Sequence, residues 1–535
     1  MVDTILLSGV YSEFDGYRQT DILKRKGKNI DPKKLYIRKD FDSAEMFVPF
    51  PVNVQDEESV FTETDSCTSV TLMSILERNG LSFVWNNLAL FSNETGKKSI
   101  AVSLQTDAPT VSLSTTFILS EKELDNVIQF IREHAPGKKI ILGGPLVELN
   151  PEYTAKADYA VIGEGEYTYP ALLRAILENR PLDDIQGVAY RREDDSVVMT
   201  EPAPYLDLDA CPPVNWNLAR YEGAKTVPYE ASRSCPFKCK FCTYHLRGKF
   251  RFKSAKKIFE EWKYFVEECG AKHISVFDSV FSAPKERLKE LCELIIREKL
   301  AVSWDCWVRA TDMQDQEITD LMAKAGCKTV AFGLESASDE ILQNMNKRVT
   351  VQQIENAVNH LTASKIMILA HLIVGFPGET VETVRSTTDF LIRSKIPMYN
   401  SLAFRIREVK LPILEPEEKE KFGIKVGDEC DFIPESYSDD YGEYWTTNTM
   451  TLMEAIQLNK AMMKEVALKG RALCANLIDI NKARKLLFVL NSRFVYQALK
   501  MFEKIMVLSM EETVPEEELE NAWEEFLTHY AILTD

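Results

Sequence analysis

The chain is poor in histidine, short of positive charge, and without any long apolar run. Its 535 residues include six histidines, and His134 is the only one before residue 235. Lys and Arg number 64 against 82 Asp and Glu, a formal charge of −18. Nonspecific nucleic-acid binding needs clustered cations to displace counterions, so that class of partner is not expected. The basic stretches at 24–28 and 247–257 are short. No run approaches the roughly 20 apolar residues that span a bilayer. The opening MVDTILLSGVYSEFDGY lacks the basic and apolar regions of a signal peptide. Eleven cysteines, an odd number with no secretion signal, fit thiol chemistry in a reducing cytoplasm better than disulfides. Hydrophobic content of 45% and charge of 27% are ordinary for globular protein, and the length allows several domains.

What is present is concentrated in Cys235-Pro-Phe-Lys-Cys239-Lys-Phe-Cys242. The C-x3-C-x2-C spacing gathers three thiolates on one loop and leaves a fourth ligand position unassigned. Three thiolates can hold three irons of a [4Fe–4S] cube, with the last iron open to a small molecule. The competing reading is a structural Cys3His zinc site completed by His245. Phe241 directly before the last cysteine, and the long strand–helix alternation that the loop opens, favour the cluster. With these features the chain resembles the radical S-adenosylmethionine (SAM) enzymes.

Before the loop, apolar strand patterns at 4–8, 81–86, 110–115, 139–142 and 159–162 alternate with helix patterns at 68–78, 121–134 and 170–178. This predicts a doubly wound parallel sheet whose ligands sit at the carboxyl ends of the strands. Ile141-Leu-Gly-Gly-Pro145 and Ala157-Asp-Tyr-Ala-Val-Ile-Gly-Glu-Gly-Glu166 resemble the cobalamin-binding domain that precedes many radical SAM cores. The resemblance implies a corrin pocket lined by Ser112, Ser114, Gly143, Gly144, Gly163, Glu164 and Gly165. No D-x-H-x-x-G motif follows the first strand, so histidine ligation of cobalt from that loop is excluded. Residues 10–65 fit no tidy element, 183–200 read as a hairpin, and 201–216 are a Pro- and Asp-rich linker.

After the cysteine loop, strands at 228–232, 273–277, 302–309, 329–335, 367–374 and 401–407 alternate with helices, as in a partial (β/α)6 barrel. The expected division is a Rossmann-like domain over 1–200, a linker over 201–227, the barrel over 228–430 and a helical cap over 431–535. The resemblance implies that Cys235, Cys239 and Cys242 hold the cluster. It also implies that Phe241, Asp278, Arg309, Glu335, Gly375 and Phe376 contact SAM. Alternation in 303–309 puts Asp305, Trp307 and Arg309 on one face; if Arg309 faces the lumen, Cys306 faces the outer helices.

The radical SAM resemblance implies reductive cleavage of SAM to a 5′-deoxyadenosyl radical that takes hydrogen from an unactivated carbon. The first functional reading is a cobalamin-dependent methyltransferase. The second is a peptide epimerase or related peptide-modifying enzyme without cobalamin, whose hydrogen donor would be Cys430 or, second, Cys474 in the cap. A noncatalytic iron–sulfur or zinc scaffold would require the strand-end Asp278, Arg309, Glu335 and Gly375 to be coincidence. Expected partners are a small-molecule or peptide substrate and a one-electron reductant of flavodoxin or ferredoxin type, with no membrane.

Overall fold

The computed structural model describes residues 2–8, 35–39, 46–49, 67–92, 94–118, 120–218, 226–406, 410–427, 444–475, 493–509, 515–529 and 531–533. Two large sheets organise it. The first runs Phe83–Asn87, Thr4–Ser8, Thr110–Ser114, Lys139–Gly143, Tyr159–Val161, Val188–Arg191, Val197–Met199. Its first five strands are parallel and the last two form an antiparallel hairpin. Ile5, Leu7, Val111, Leu113, Ile140 and Leu142 face one helical layer, while Leu6 and Ile141 join a second apolar cluster. Both faces are therefore covered, as a parallel sheet requires.

The second sheet is all parallel and runs Thr226–Tyr229, His273–Val276, Ser303–Val308, Cys327–Glu335, Met367–Val374, Met398–Ala403, Leu473–Cys474. The expected six-strand order is extended by the two-residue Leu473–Cys474, which adds beside Met398–Tyr399. Trp304, Cys306 and Val308 pack with the outer helices, so the opposite face, with Asp305 and Trp307, lines the lumen.

Several local expectations shift. The last barrel strand runs Met398–Ala403 rather than 401–407; the Phe404 amide still donates to Val374 O (2.7 Å), and Phe404 and Ile406 pack with Trp445 and Phe376. Helices Glu94–Leu104 and Val381–Arg393 were not foreseen. Thr380 starts the latter with a capping box to Thr383. Within the stretch 10–65 that fitted no element, Leu35–Lys39 pairs antiparallel with both Met46–Pro49 and Ala531–Leu533. Among the described residues no helix is long and apolar enough to cross a membrane.

Candidate active site

The cysteine loop leaves a two-stranded ribbon in which Ser232–Arg233 pairs with Arg251–Phe252, so residues 234–250 form one closed excursion. Many contacts fix it. The Lys240 amide donates to Met345 O (2.9 Å), and the Ile413 amide donates to Lys240 O (3.0 Å). Asn346 Nδ2 donates to Lys238 O (2.7 Å), and Ser279 Oγ to Ser234 O (2.7 Å). Cys239 is buried and Cys235 and Cys242 half-buried. Burial pushes the Cys242 thiol up to about 11, with Cys239 and Cys235 adding to the rise. A thiol in that state binds as thiolate only when a metal takes its proton's place. Among the described residues no three His, Cys, Asp or Glu side chains converge on a single metal-ion position, His245 included.

Arg309 lies at the carboxyl end of its strand with its guanidinium 3.9 Å from the centroid of Phe237, inside the cysteine loop. It is 7% exposed, and Nε and Nη2 are buried without a partner. Buried donors left unmade are costly, so this side chain is poised for an anionic group. Glu335 ends its strand at φ +61° beside a register shift, and its Oε1 accepts from Lys347 Nζ at 2.7 Å. A side chain at Gly333 would occupy the space of that pair. Lys347 also stands 5.4 Å from the Phe241 ring, and Phe241 meets Phe376 edge to face at 6.4 Å. Gly375 (φ +87°) lies against Ala455 and Trp445 from the C-terminal segment, where a side chain would collide. These residues come together around the carboxyl ends of the barrel strands, against the cysteine loop.

Asp278 is held by one oxygen, while its Oδ2 is buried without a partner. Its Oδ1 accepts from the amides of Ala231 (2.7 Å) and Ser232 (3.0 Å), so it fastens the stem of the cysteine loop. Burial raises its carboxyl to about 6, against the lowering pull of Arg287 and those hydrogen bonds.

In the first sheet, Ser114 and Gly143 are register partners at the carboxyl end, followed by Gly144 and, after Val161, Gly163. Gly144 has φ +107°, and a Cβ there would press on Thr115 Oγ1 at 3.1 Å and the Thr116 amide at 3.2 Å. Gly163 has φ +94° with open space around the missing Cβ, and Gly165 opens the helix Gly165–Leu177. Two expected pocket residues are spent otherwise. Ser112 is buried and hydrogen-bonded to Thr4 Oγ1 at 2.9 Å inside the sheet. Glu164 is bound by Arg233 Nη1 (2.9 Å) and Arg251 Nη2 (2.6 Å), and its Oε2 accepts from the Leu206 amide (2.8 Å). Burial works to raise its carboxyl, but Arg251, Arg233 and Leu206 outweigh that and hold it below the usual range.

The candidate hydrogen donors also move. Cys430 lies outside the described residues. Cys474 sits in a strand, not a cap helix, opposite Tyr399 near the start of Met398–Ala403. This is the amino end of the barrel, away from the cysteine loop, because parallel strands bring all their starts to one end. Cys306 packs outward, as the alternation predicts, and Cys327 lies at the start of its strand.

Sequence reasoning passed over Lys347, Phe237, Arg233, Arg251 and Glu379. Only Glu379, four residues after Gly375, had a local signal: it is buried and its Oε2 accepts from the Gly375 amide at 2.5 Å.

With this geometry in place, residues 229–391 match the model of the Radical SAM superfamily. The matched segment begins at the Thr226–Tyr229 strand and takes in the cysteine loop and most of the second sheet, and it follows the doubly wound first sheet. The same succession of two folds is seen in solved structures. The structure is similar to TsrM of Kitasatospora setae, a radical S-adenosylmethionine methyltransferase solved with cobalamin and a [4Fe–4S] cluster, with TM-score 0.60 at 16% identity. That match covers 98% of this chain and 100% of the other. It is also similar to the cobalamin-dependent enzyme OxsB, with TM-score 0.61 at 16% identity, covering 96% and 80%. At such identities the likeness is one of fold. In sequence, 263 residues are 34% identical to an uncharacterized methyltransferase of Pyrococcus horikoshii, 47% of this chain and 57% of that protein. Another 28% identity over 313 residues links it to the anaerobic magnesium-protoporphyrin IX monomethyl ester cyclase of Rubrivivax gelatinosus, 55% and 56% of the two chains. The matched segments span little more than half of these curated relatives.

Proposed function

We propose that the protein is a cobalamin-dependent radical SAM methyltransferase acting on an unactivated carbon of a small molecule. The observation that carries this reading is the meeting of two ligand-facing ends. The loop after Val161 in the first sheet is ion-paired to Arg233, two residues before Cys235, so the glycine-rich face abuts the cysteine loop. Bound there, a [4Fe–4S] cluster and SAM would supply radical hydrogen abstraction, and cobalamin would supply a methyl carrier.

The chain's own residues bind and orient. Cys235, Cys239 and Cys242 hold the cluster as thiolates. Arg309 takes the SAM carboxylate with the two donors that have no protein partner. Phe241 and Phe376 form an apolar wall, and Glu335, held by Lys347, keeps an acceptor at the strand end. Glu379 fixes the backbone at Gly375 so that its neighbours can meet adenine. Ser114, Gly143, Gly144 and Gly163 receive the corrin side. The electron comes from a flavodoxin- or ferredoxin-type donor, and the C-terminal segment against Gly375 excludes water. The Cys474 position offers nothing to an epimerase.

The test is anaerobic titration of the cluster-reconstituted protein with hydroxocobalamin, then desalting. Stoichiometric corrin retention without a histidine-ligated spectrum is expected, with S-adenosylhomocysteine and 5′-deoxyadenosine both formed on turnover. Loss of all corrin on desalting would overturn the methyltransferase reading.

A further inference from the structure

The ribbon that carries the cysteine loop holds an electrostatic conflict. Arg233 and Arg251 are direct cross-strand partners, one at each stem of the excursion 234–250. Like charges placed opposite each other destabilise a strand pair. Their side chains are 20% and 15% exposed, too enclosed for water to screen the pair fully. The neutralising group comes from the other domain. Glu164 Oε1 accepts from both guanidiniums, Arg233 Nη1 at 2.9 Å and Arg251 Nη2 at 2.6 Å. Glu166, two residues on, pairs with Arg233 Nη2, while Glu230 takes its Nε at 3.0 Å. Glu164 Oε2 and Leu206 O close the second side of Arg251, whose guanidinium also lies 4.6 Å from the Tyr205 ring. Glu164 stands between Gly163 and Gly165, so one short loop presents both the glycines and the staple.

We propose that Glu164 and Glu166 are positioning residues for the cysteine loop: by clamping both stems of its ribbon they join the ligand face of the first domain to the cluster-binding site as one coupled unit. The inference deepens the proposed function, since it assigns the route by which the two cofactor sites act on each other. Coupling of this kind is reciprocal. Ordering the cysteine loop tightens the 163–166 loop, and loosening that loop frees the stems.

Amide hydrogen exchange tests this on the full chain without cobalamin, comparing cluster-free and cluster-reconstituted protein. In the wild type, reconstitution slows exchange across 163–166 by about tenfold. In Glu164→Gln/Glu166→Gln, which keeps the side-chain shape but removes both negative charges, the slowing disappears and the melting temperature falls. The reduced cluster of this variant gives an altered electron paramagnetic resonance signal with SAM. Arg233→Lys, which keeps the charge, restores part of the exchange coupling where Arg233→Gln does not. Unchanged exchange at 163–166 on reconstitution of the wild type, a comparison that needs no variant to fold, overturns the proposal. So does equal slowing in the double variant. Because no corrin is used, this result is independent of the corrin-retention test of the methyltransferase reading.

Discussion

At Glu379 a single carboxyl decides how the Gly375 loop is held. Burial pushes it up to about 8, although the Gly375 and Phe376 amides and the Ser336 hydroxyl pull it down. The ordinary value is 4.5. Between the two values the folded chain binds one more proton than the unfolded chain, so stability falls as pH rises through that window and is level above it. Glu379→Gln removes this slope. Anaerobic melting temperatures from pH 5 to pH 9 should therefore converge between variant and wild type at the acid end and separate towards about pH 8, the variant being higher. Arg309 is the second residue-scale test. Charge-assisted hydrogen bonds contribute about 1.5–3 kcal/mol, so Arg309→Gln should weaken SAM binding roughly 10- to 150-fold. Iron content should be unchanged; equilibrium dialysis on reconstituted protein reads the affinity.

At the scale of elements, strand alternation does most of the work. In Ser303–Val308 the outward Trp304 is fully buried, packs 5.8 Å from Trp262 and 5.9 Å from Phe281, and donates to Ala325 O at 2.9 Å. Trp304→Ala should cost about 3–5 kcal/mol, read as a lower denaturant midpoint in the cluster-free chain. The same alternation let Arg309 and Cys306 be assigned to opposite faces from sequence. The helix Glu121–His134 was legible to the residue because Leu124, Val127, Ile128 and Ile131 recur at helical spacing; in the structure Ser120 and Glu123 close a capping box at its start. Val381–Arg393 was not, since its capping box is made by two threonines, a weaker signal. Leu473–Cys474 could not be read at all: two residues carry no period, and only the open edge of Met398–Ala403 makes them a strand.

At the scale of the whole molecule, the two domains meet through the Glu164 staple and through Lys410 Nζ, which donates to Leu149 O. Removing one partner of an enclosed ion pair typically costs about 3–5 kcal/mol because the remaining charge is stranded. Glu164→Ala leaves two facing guanidiniums and should lower stability by a similar amount, read by urea unfolding. The staple also has an acid limit. Because the Glu164 carboxyl is held below its ordinary value of 4.5, its contribution is complete above that value and is lost as pH falls through the lower folded value.

The amino-acid sequence by itself determined the chemistry that depends on short spacing and on period. The three cysteines share one loop because only residues 235–242 are needed to bring them together, and strand ends carry Arg309, Glu335 and Gly375 because alternation and glycine punctuation are local properties. Tertiary structure alone decided what depends on which distant surfaces meet. Glu164 is flanked by glycines like a ligand-loop residue, yet its charge is spent on two arginines some 70 and 90 positions away. Ser112 faces Thr4 across the sheet, and Cys474 ends at the amino side of the barrel. The reason is physical: a side chain's type fixes which partners it can accept, but a buried charge or hydroxyl takes whichever partner the fold brings within hydrogen-bond reach.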